Sequence, residues 1–366
     1  MILPYDPVDG SVAVTRVLRV SSSATPNPAH NLPIVGLIAN PHSGHDVRRL
    51  VAAAGTSELT DKISIIRRVM LGAASVGEVE WRVLPEPHGL VRRATDTLSQ
   101  LHVSTVDVKL SHKEQDTTET ARRLRELGAE LVVTLGGDGT NRAAALGWPD
   151  IPVIPLSTGT NNAFPIFVEP TIAGTVAGLV ATGKILLSEA ANRAKVIHVA
   201  YTGPDGAPVR DLALIDAVGV RDRFVGSMDL FDPETMATLV LTQAAPTAIG
   251  FSSIGGRLHP LTAADEGGVL VQFASPSKAR HQLIAPTAPG HHERIGYDEA
   301  RPLALGERVT VTGPMILAFD GERKVELKPG TTAELWIERD GPRVIDVGRV
   351  MASAAAAGLF TSGGGS

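Results

Sequence analysis

A run of β-branched and apolar residues, Val132-Val133-Thr134-Leu135, leads into Gly136-Gly137-Asp138-Gly139-Thr140 and then into Asn141-Arg142-Ala143-Ala144-Ala145. Short apolar runs closed by glycine read as buried strands, and the alanine-rich segment can open a helix. Three glycines in four positions let the backbone approach a ligand closely and adopt conformations that a side chain would block. Backbone N–H groups at a strand-to-helix turn favour anionic oxygens, phosphate above all. Asp138 does not suit such a cradle, because its carboxylate repels phosphate unless a metal bridges them or it accepts a proton. That combination points to phosphoryl transfer. The plain alternative is a tight corner with Asp138 as the helix cap.

Two further loops share this pattern. Ile151-Pro152-Val153-Ile154 precedes Pro155-Leu156-Ser157-Thr158-Gly159-Thr160-Asn161-Asn162-Ala163-Phe164-Pro165, and Ile34-Val35-Gly36-Leu37-Ile38-Ala39 precedes Asn40-Pro41-His42-Ser43-Gly44. Strand-then-polar-loop units in succession put such loops at the carboxyl end of neighbouring parallel strands, where open α/β sheets bind ligands.

The Asn-Pro-x-Ser-Gly turn, the Gly-Gly-Asp-Gly-Thr turn and the Pro-x-x-x-Gly-Thr-x-Asn loop together resemble the NAD kinase–diacylglycerol kinase superfamily. Leu156-Ser157-Thr158-Gly159-Thr160-Asn161-Asn162 and Leu317-Ala318-Phe319-Asp320-Gly321-Glu322 are similar to its ATP-NAD kinase-like branch, which includes the AcoX proteins of acetoin catabolism. The resemblance covers residues 33 to 350. It implies a Rossmann-like α/β lobe with a parallel sheet, an all-β sandwich-like lobe, and an active site in the cleft between them. It also implies ATP and Mg²⁺ as cofactors, NAD or another small polar metabolite as acceptor, and a homo-oligomer, dimer or tetramer.

Phosphoryl transfer needs anchored phosphates, charge neutralisation and a positioned nucleophile. Gly136, Gly137, Gly139 and Thr140 can supply donors to a polyphosphate. Asp138, the catalytic carboxylate of the resemblance, either accepts the acceptor's proton or positions Mg²⁺; both stay open. Thr158, Gly159, Thr160, Asn161 and Asn162 form the second wall, although an Asx turn also accounts for Asn162. Asn40 and Ser43 contact nucleotide by the resemblance, or simply turn the chain after a strand. Asp216, Ser253 and Gly255 are substrate-side candidates, with a hairpin at Gly255-Gly256 as the alternative. Asp320-Gly321 reads first as a hairpin turn. NAD kinases carry an Asn-acidic pair in the β-rich lobe, where this chain has Ile215 beside Asp216. A buried polar contact is worth roughly 1–3 kcal/mol, so its loss can shift the acceptor away from NAD. A lipid kinase and a non-catalytic nucleotide-binding regulator remain alternatives.

Charge and composition narrow the partners. The 366 residues carry a net charge of −5 and 4% aromatics, with no basic excess or stacking surface for nucleic acid. An acidic chain is also disfavoured at anionic lipid, and no apolar run is long enough to span a bilayer. No cysteine is present, which removes disulfides and thiolate chemistry. With no secretory signal apparent, a cytoplasmic location is expected. His291-His292-Glu293 reads as a solvated loop, since adjacent strand histidines face opposite ways; no metal site is expected. His42, inside the first phosphate-facing turn, is the better functional candidate among these histidines, with a solvent-facing turn residue as the alternative.

The expected organisation is an N-terminal extension over 1–32 with a strand at Val12–Val20, an α/β lobe over 33–165, a β-rich lobe over 166–350 and a flexible tail over 351–366. Asp116 to Leu127 reads as a helix capped by Asp116 and ended by Gly128. Thr171 to Thr182 reads as a helix rich in small residues.

Overall fold

Leu131 to Leu135 are all buried, the mark of a central strand covered on both faces. The computed structural model describes residues 32–40, 59–157, 162–221 and 231–361, apart from the side chains of residues 322–324. The chain begins β1 (Ile34–Ala39), α1 (Leu59–Ala74), β2 (Glu80–Val83), α2 (Leu90–Thr95), β3 (His102–Thr105), α3 (Glu114–Glu126), β4 (Leu131–Leu135) and α4 (Asp138–Gly147). Next come β5 (Pro152–Leu156), α5 (Pro170–Ala181), α6 (Leu187–Ala190) and β6 (Ala191–Arg193). The second lobe runs β7 (Val196–Thr202), β8 (Pro208–Ala213), β9 (Asp216–Val220), β10 (Met236–Leu241), α7 (Phe251–Leu258), β11 (Gly268–Phe273), β12 (His281–Ala288) and β13 (His291–Leu303). The chain closes with β14 (Val309–Thr312), β15 (Met315–Phe319), β16 (Glu322–Leu327), β17 (Thr332–Glu338), β18 (Arg343–Ile345) and α8 (Val347–Ala356).

The first sheet has the order β3-β2-β1-β4-β5-β18-β6, with the first six strands parallel and β6 antiparallel to β18. Alternate side chains serve opposite faces, as strand geometry dictates. Val35, Leu37, Leu131, Val133, Ile154 and Leu156 pack under α1, α5 and α8, while Ile38, Val132 and Val153 pack under α3 and α4. The expected Rossmann-like parallel lobe is therefore present.

The second lobe is a sandwich of antiparallel sheets ordered β12-β13-β11-β10-β9-β15-β16 and β14-β17-β7-β8. Ile197, Val199, Leu335 and Ile337 meet Val240, Leu270, Leu317 and Phe319 between them. One helix departs from an all-β lobe. The stretch read as a hairpin at Gly255-Gly256 is α7, which covers the outer face of the larger sheet through Phe251 and Ile254. Its glycines serve close approach rather than a turn: added Cβ atoms would overlap Leu241 at Gly255 and the Ala245–Pro246 backbone at Gly256.

Other expectations are adjusted. The strand expected at Val12–Val20 lies outside the described residues. Helix α3 starts at Glu114, so Asp116 is not its cap. The Asp116 carboxylate instead accepts from the backbone N–H groups of Ser111 and His112, at 2.7 and 2.8 Å. Residues 351–356 belong to α8, with Val350 and Ala354 buried, rather than to a flexible tail. The boundary drawn at 165/166 separates α5 from α1, against which it packs, and the chain returns to the first sheet with β18. His291 and His292 open a strand, not a loop, and His291 pairs with Glu293 at 2.6 Å. Among the described residues, no helix is long and apolar enough to cross a membrane.

Candidate active site

Strand β4 ends at Leu135, Gly136-Gly137 turn the chain, and α4 begins at Asp138 itself, so Gly139 and Thr140 lie in its first turn rather than in a loop. The glycines answer to crowding. A Cβ at Gly136 would overlap Thr140, and one at Gly137 would come within 2.8 Å of Asn162 Oδ1. Asn141 fastens this corner, donating to the Gly137 carbonyl at 2.9 Å and accepting from Thr134 Oγ1 at 2.7 Å. The first loop adjoins it. Asn40 donates from its backbone to Leu135 O at 3.1 Å and from Nδ2 to Thr140 Oγ1 at 3.1 Å. Asn40, Gly136, Gly137, Asp138, Thr140 and Asn162 are thus brought together. Ser43, His42, Thr158, Gly159, Thr160 and Asn161 lie outside the described residues.

Asp138 is 9% exposed, and its carboxylate accepts from the backbone N–H groups of Ala163, at 3.1 and 3.2 Å, and Phe164, at 2.9 Å. It therefore ties the second loop to the first turn of α4, a role that spacing alone did not suggest. Ala163 in turn accepts from Gln243 Nε2 at 2.8 Å, which joins the second lobe to the same point.

Asp320 closes the β15–β16 hairpin with φ of 49°, followed by Gly321 at 82°, the positive pair that a tight hairpin turn needs. It does more than turn the chain. Its buried carboxylate accepts from the backbone of Leu214, Ile215 and Asp216 at 2.8 to 3.2 Å. Burial, then the charges of Asp216 and Asp138, push its carboxyl well above the usual carboxylate range. Three carboxylates from the two lobes thus share one electrostatic neighbourhood. The Asp-Gly signal was visible in the sequence; the three consecutive donors, 104 to 106 residues earlier, reach it only in the fold. Among the described residues, no group of three or more His, Asp or Glu is arranged to hold a metal ion.

A cavity of about 500 Å³ opens beside this point, lined by Asn162, Ala163, Gln243 to Ile249, Ser252 and Pro260 to Ala263. Among the described residues, no charged side chain lines it. Ser253 and Gly255 do not line it either: Ser253 is fully buried, and Gly255 packs on Leu241 and Ala244. Helical periodicity puts Ser252, not Ser253, on the side of this cavity. The loop forming one wall is held from below. Lys195 Nζ donates to the carbonyls of Thr262, Asp265 and Gly267 at 3.2, 2.7 and 2.9 Å. Burial lowers its pKa to about 8. Arg339 grips the carbonyls of Ala263, Ala264 and Asp265.

Arg142 is the other residue that the motifs did not single out. It is 2% exposed, lies one turn after Asp138, and pairs with Glu114 at 2.6 Å and with Asp211. Its Nε donates to Leu212 O at 2.7 Å, and its guanidinium lies 5.6 Å from the Phe319 ring centre. One side chain thus pins α4 to the segment that carries Asp216.

Known proteins are similar to this chain. The family model of the ATP-NAD kinase N-terminal domain matches residues 35–185, and that of the acetoin catabolism protein X C-terminal domain matches residues 195–340. Acetoin catabolism protein X of Cupriavidus necator is 34% identical over 338 residues, spanning 88% of this chain and 92% of that protein. A crystal structure of yeast NADH kinase complexed with NADH is similar with a TM-score of 0.49 and 15% identity, covering 92% of this chain and 90% of that one. With 34% identity across nearly the full length of both chains, this chain belongs to the acetoin catabolism protein X family, with an ATP-NAD kinase-like first domain.

Proposed function

We propose that the chain is a nucleotide-dependent kinase that transfers a phosphoryl group from ATP to a hydroxyl of a small metabolite in the cleft. The observation that carries this reading is the position of Asp138. It stands at the first turn of α4, beside Asn40 and Asn162, and next to the backbone that lines the cavity. In this reading the acceptor hydroxyl attacks the terminal phosphorus, its proton passes to Asp138, and the bond to the bridging oxygen breaks to release ADP. Backbone N–H groups of the first turn of α4, with the Thr140 hydroxyl, hold the phosphates. The carboxylates present suit Mg²⁺ carried mainly by the phosphates and water, the usual habit of that ion; bound there, it would offset phosphate charge.

The uncharged cavity wall favours an uncharged portion of the acceptor. Ile215 beside Asp216 supports an acceptor other than NAD, with Asp216 left to bind a hydroxyl. The Cupriavidus necator relative is named for acetoin catabolism, and we extend that association to this chain. A second reading, a non-catalytic nucleotide-binding regulator, is favoured by one observation: two backbone N–H groups already engage Asp138.

The test is a panel of hydroxyl acceptors, NAD among them, incubated with ATP and Mg²⁺ and read as ADP formed. Asp138→Asn should lower turnover by roughly 10²–10⁴-fold, the range of a lost general base. Its fold should persist, because Oδ1 alone accepts from both Ala163 and Phe164. ATP binding without turnover on any acceptor would favour the regulator. Unchanged turnover in the variant would remove Asp138 from the chemistry.

A further inference from the structure

Gln243 joins the two lobes through only half of its side chain. Its Nε2 donates to the Ala163 carbonyl at 2.8 Å. A carbonyl only accepts, so the nitrogen end of the amide must face it, and the Oε1 end is turned the other way. Oε1 has no hydrogen-bond partner among the described residues and is not sealed from solvent. The open space that this side chain lines is the cavity of about 500 Å³. An acceptor atom therefore opens on the cavity.

The backbone on either side holds it in place. Thr242 donates from its N–H to Ile215 O at 3.0 Å and from Oγ1 to Leu214 O at 2.6 Å. Ala244 exchanges backbone bonds with Leu261 at 2.7 and 2.9 Å. Among the other polar side chains of the lining, Asn162 Nδ2 donates to Ser157, Thr262 Oγ1 donates to Asp265, and Ser252 Oγ accepts from Ala245, while Thr247 is exposed. The rest of the lining is alanine, proline, Ile249 and Leu261. Such a wall suits a neutral aliphatic body, and an acceptor oxygen within it selects a group that donates. A ligand that can only accept leaves Oε1 without a partner. Ala163 connects this atom to the chemistry, because its N–H is bound by Asp138 and its carbonyl by Gln243.

We propose that Gln243 selects the acceptor: Oε1 accepts from one hydroxyl of a neutral aliphatic diol, and the neighbouring hydroxyl is presented towards Asp138. The choice of a hydroxyl over another neutral donor rests on the kinase reading; the selection of a donor by Gln243 does not.

Hexane-1,2-diol and 1,2-dimethoxybutane are isomers, and only the first can donate. NMR titration of the wild type and Gln243→Met with each, followed on the Ile249 methyl groups, is the experiment. The wild type should bind the diol about 3- to 10-fold more tightly than the ether, the worth of one neutral hydrogen bond. Gln243→Met should bring the two to parity by weakening the diol alone. A merely structural role for Gln243 would weaken both ligands and keep their ratio, which overturns the proposal. Parity in the wild type, or failure of the diol to bind it, overturns the proposal as well. A Gln243-dependent preference for the diol, with no ADP formed from ATP and Mg²⁺ on any acceptor of the panel, supports the selection and removes the kinase reading. Turnover of an acceptor with the same KM in the wild type and Gln243→Met keeps the kinase and overturns the selection. If Gln243→Met does not fold, the Gln243 side-chain amide signal of ¹⁵N-glutamine wild-type protein decides. A shift with the diol and none with the ether supports the proposal, and equal shifts overturn it.

Discussion

The Asp320 carboxylate sits in a conflict that one residue can reveal. Three backbone N–H groups favour its charged form, whereas burial and the neighbouring Asp216 and Asp138 favour the neutral one, and the balance raises its pKa well above 3.8. A raised folded-state value means that its contribution to stability is complete below pH 3.8 and is lost as the pH climbs through the folded value. Asp320→Asn cannot ionise, and its Oδ1 can still accept from Leu214, Ile215 and Asp216. The variant should therefore gain on the wild type in melting temperature as the pH rises above the ordinary carboxylate range, the direction set by a raised carboxyl. A pH series of calorimetric scans measures this, and parallel curves for the two proteins would show an ordinary ionised carboxylate at that turn.

At the scale of elements, α1 and α5 meet closely enough that their backbones nearly touch. An added Cβ would overlap the Thr171 carbonyl oxygen at Gly72, the Val69 carbonyl oxygen at Gly174, and Val76 at Gly178. The small-residue character of Thr171–Thr182 is thus a packing requirement. Helix α5 begins where it does because Pro170 follows a capping Glu169, whose carboxylate accepts from Thr171 and Ile172 at 2.7 and 3.1 Å. Gly174→Ala should lower the melting temperature, since the clash is with backbone and cannot be relieved by a rotamer. Overpacking of that kind costs about 1–3 kcal/mol. A melting temperature equal to that of the wild type would mean the helices separate without strain.

For the molecule as a whole, Arg142 is the principal electrostatic tie between the lobes, reinforced by Gln243 on Ala163. Removing one member of a buried ion-pair network is costly because the partners stay behind, about 3–5 kcal/mol for fully buried pairs. Glu114 is 31% exposed and Asp211 17%, so the lower end of that range applies. Arg142→Met, which keeps most of the volume, should lose about 3 kcal/mol and broaden or split the single calorimetric transition as the lobes uncouple. A sharp transition of unchanged midpoint would show that the interface holds without the guanidinium.

The sequence by itself determined those features that are local. Gly136 to Thr140 read as a strand-to-helix corner because glycine chemistry and a β-branched run act within a few residues. Gly268–Phe273, Val309–Thr312 and Thr332–Glu338 are strands whose apolar and β-branched runs are equally local. The order of the three polar loops was enough to indicate the parallel sheet and the family. Tertiary structure decided what depends on distant partners. Residues 343–345 join the first sheet because an edge beside β5 is open to them, and no local pattern marks such a return. Ser252 to Gly256 coil into α7 because the outer face of the larger sheet needs Phe251 and Ile254 over it. Arg142 and Asp320 look like ordinary charged residues in one dimension. Only the fold buries them, and burial is what turns a charge into a constraint on its neighbours.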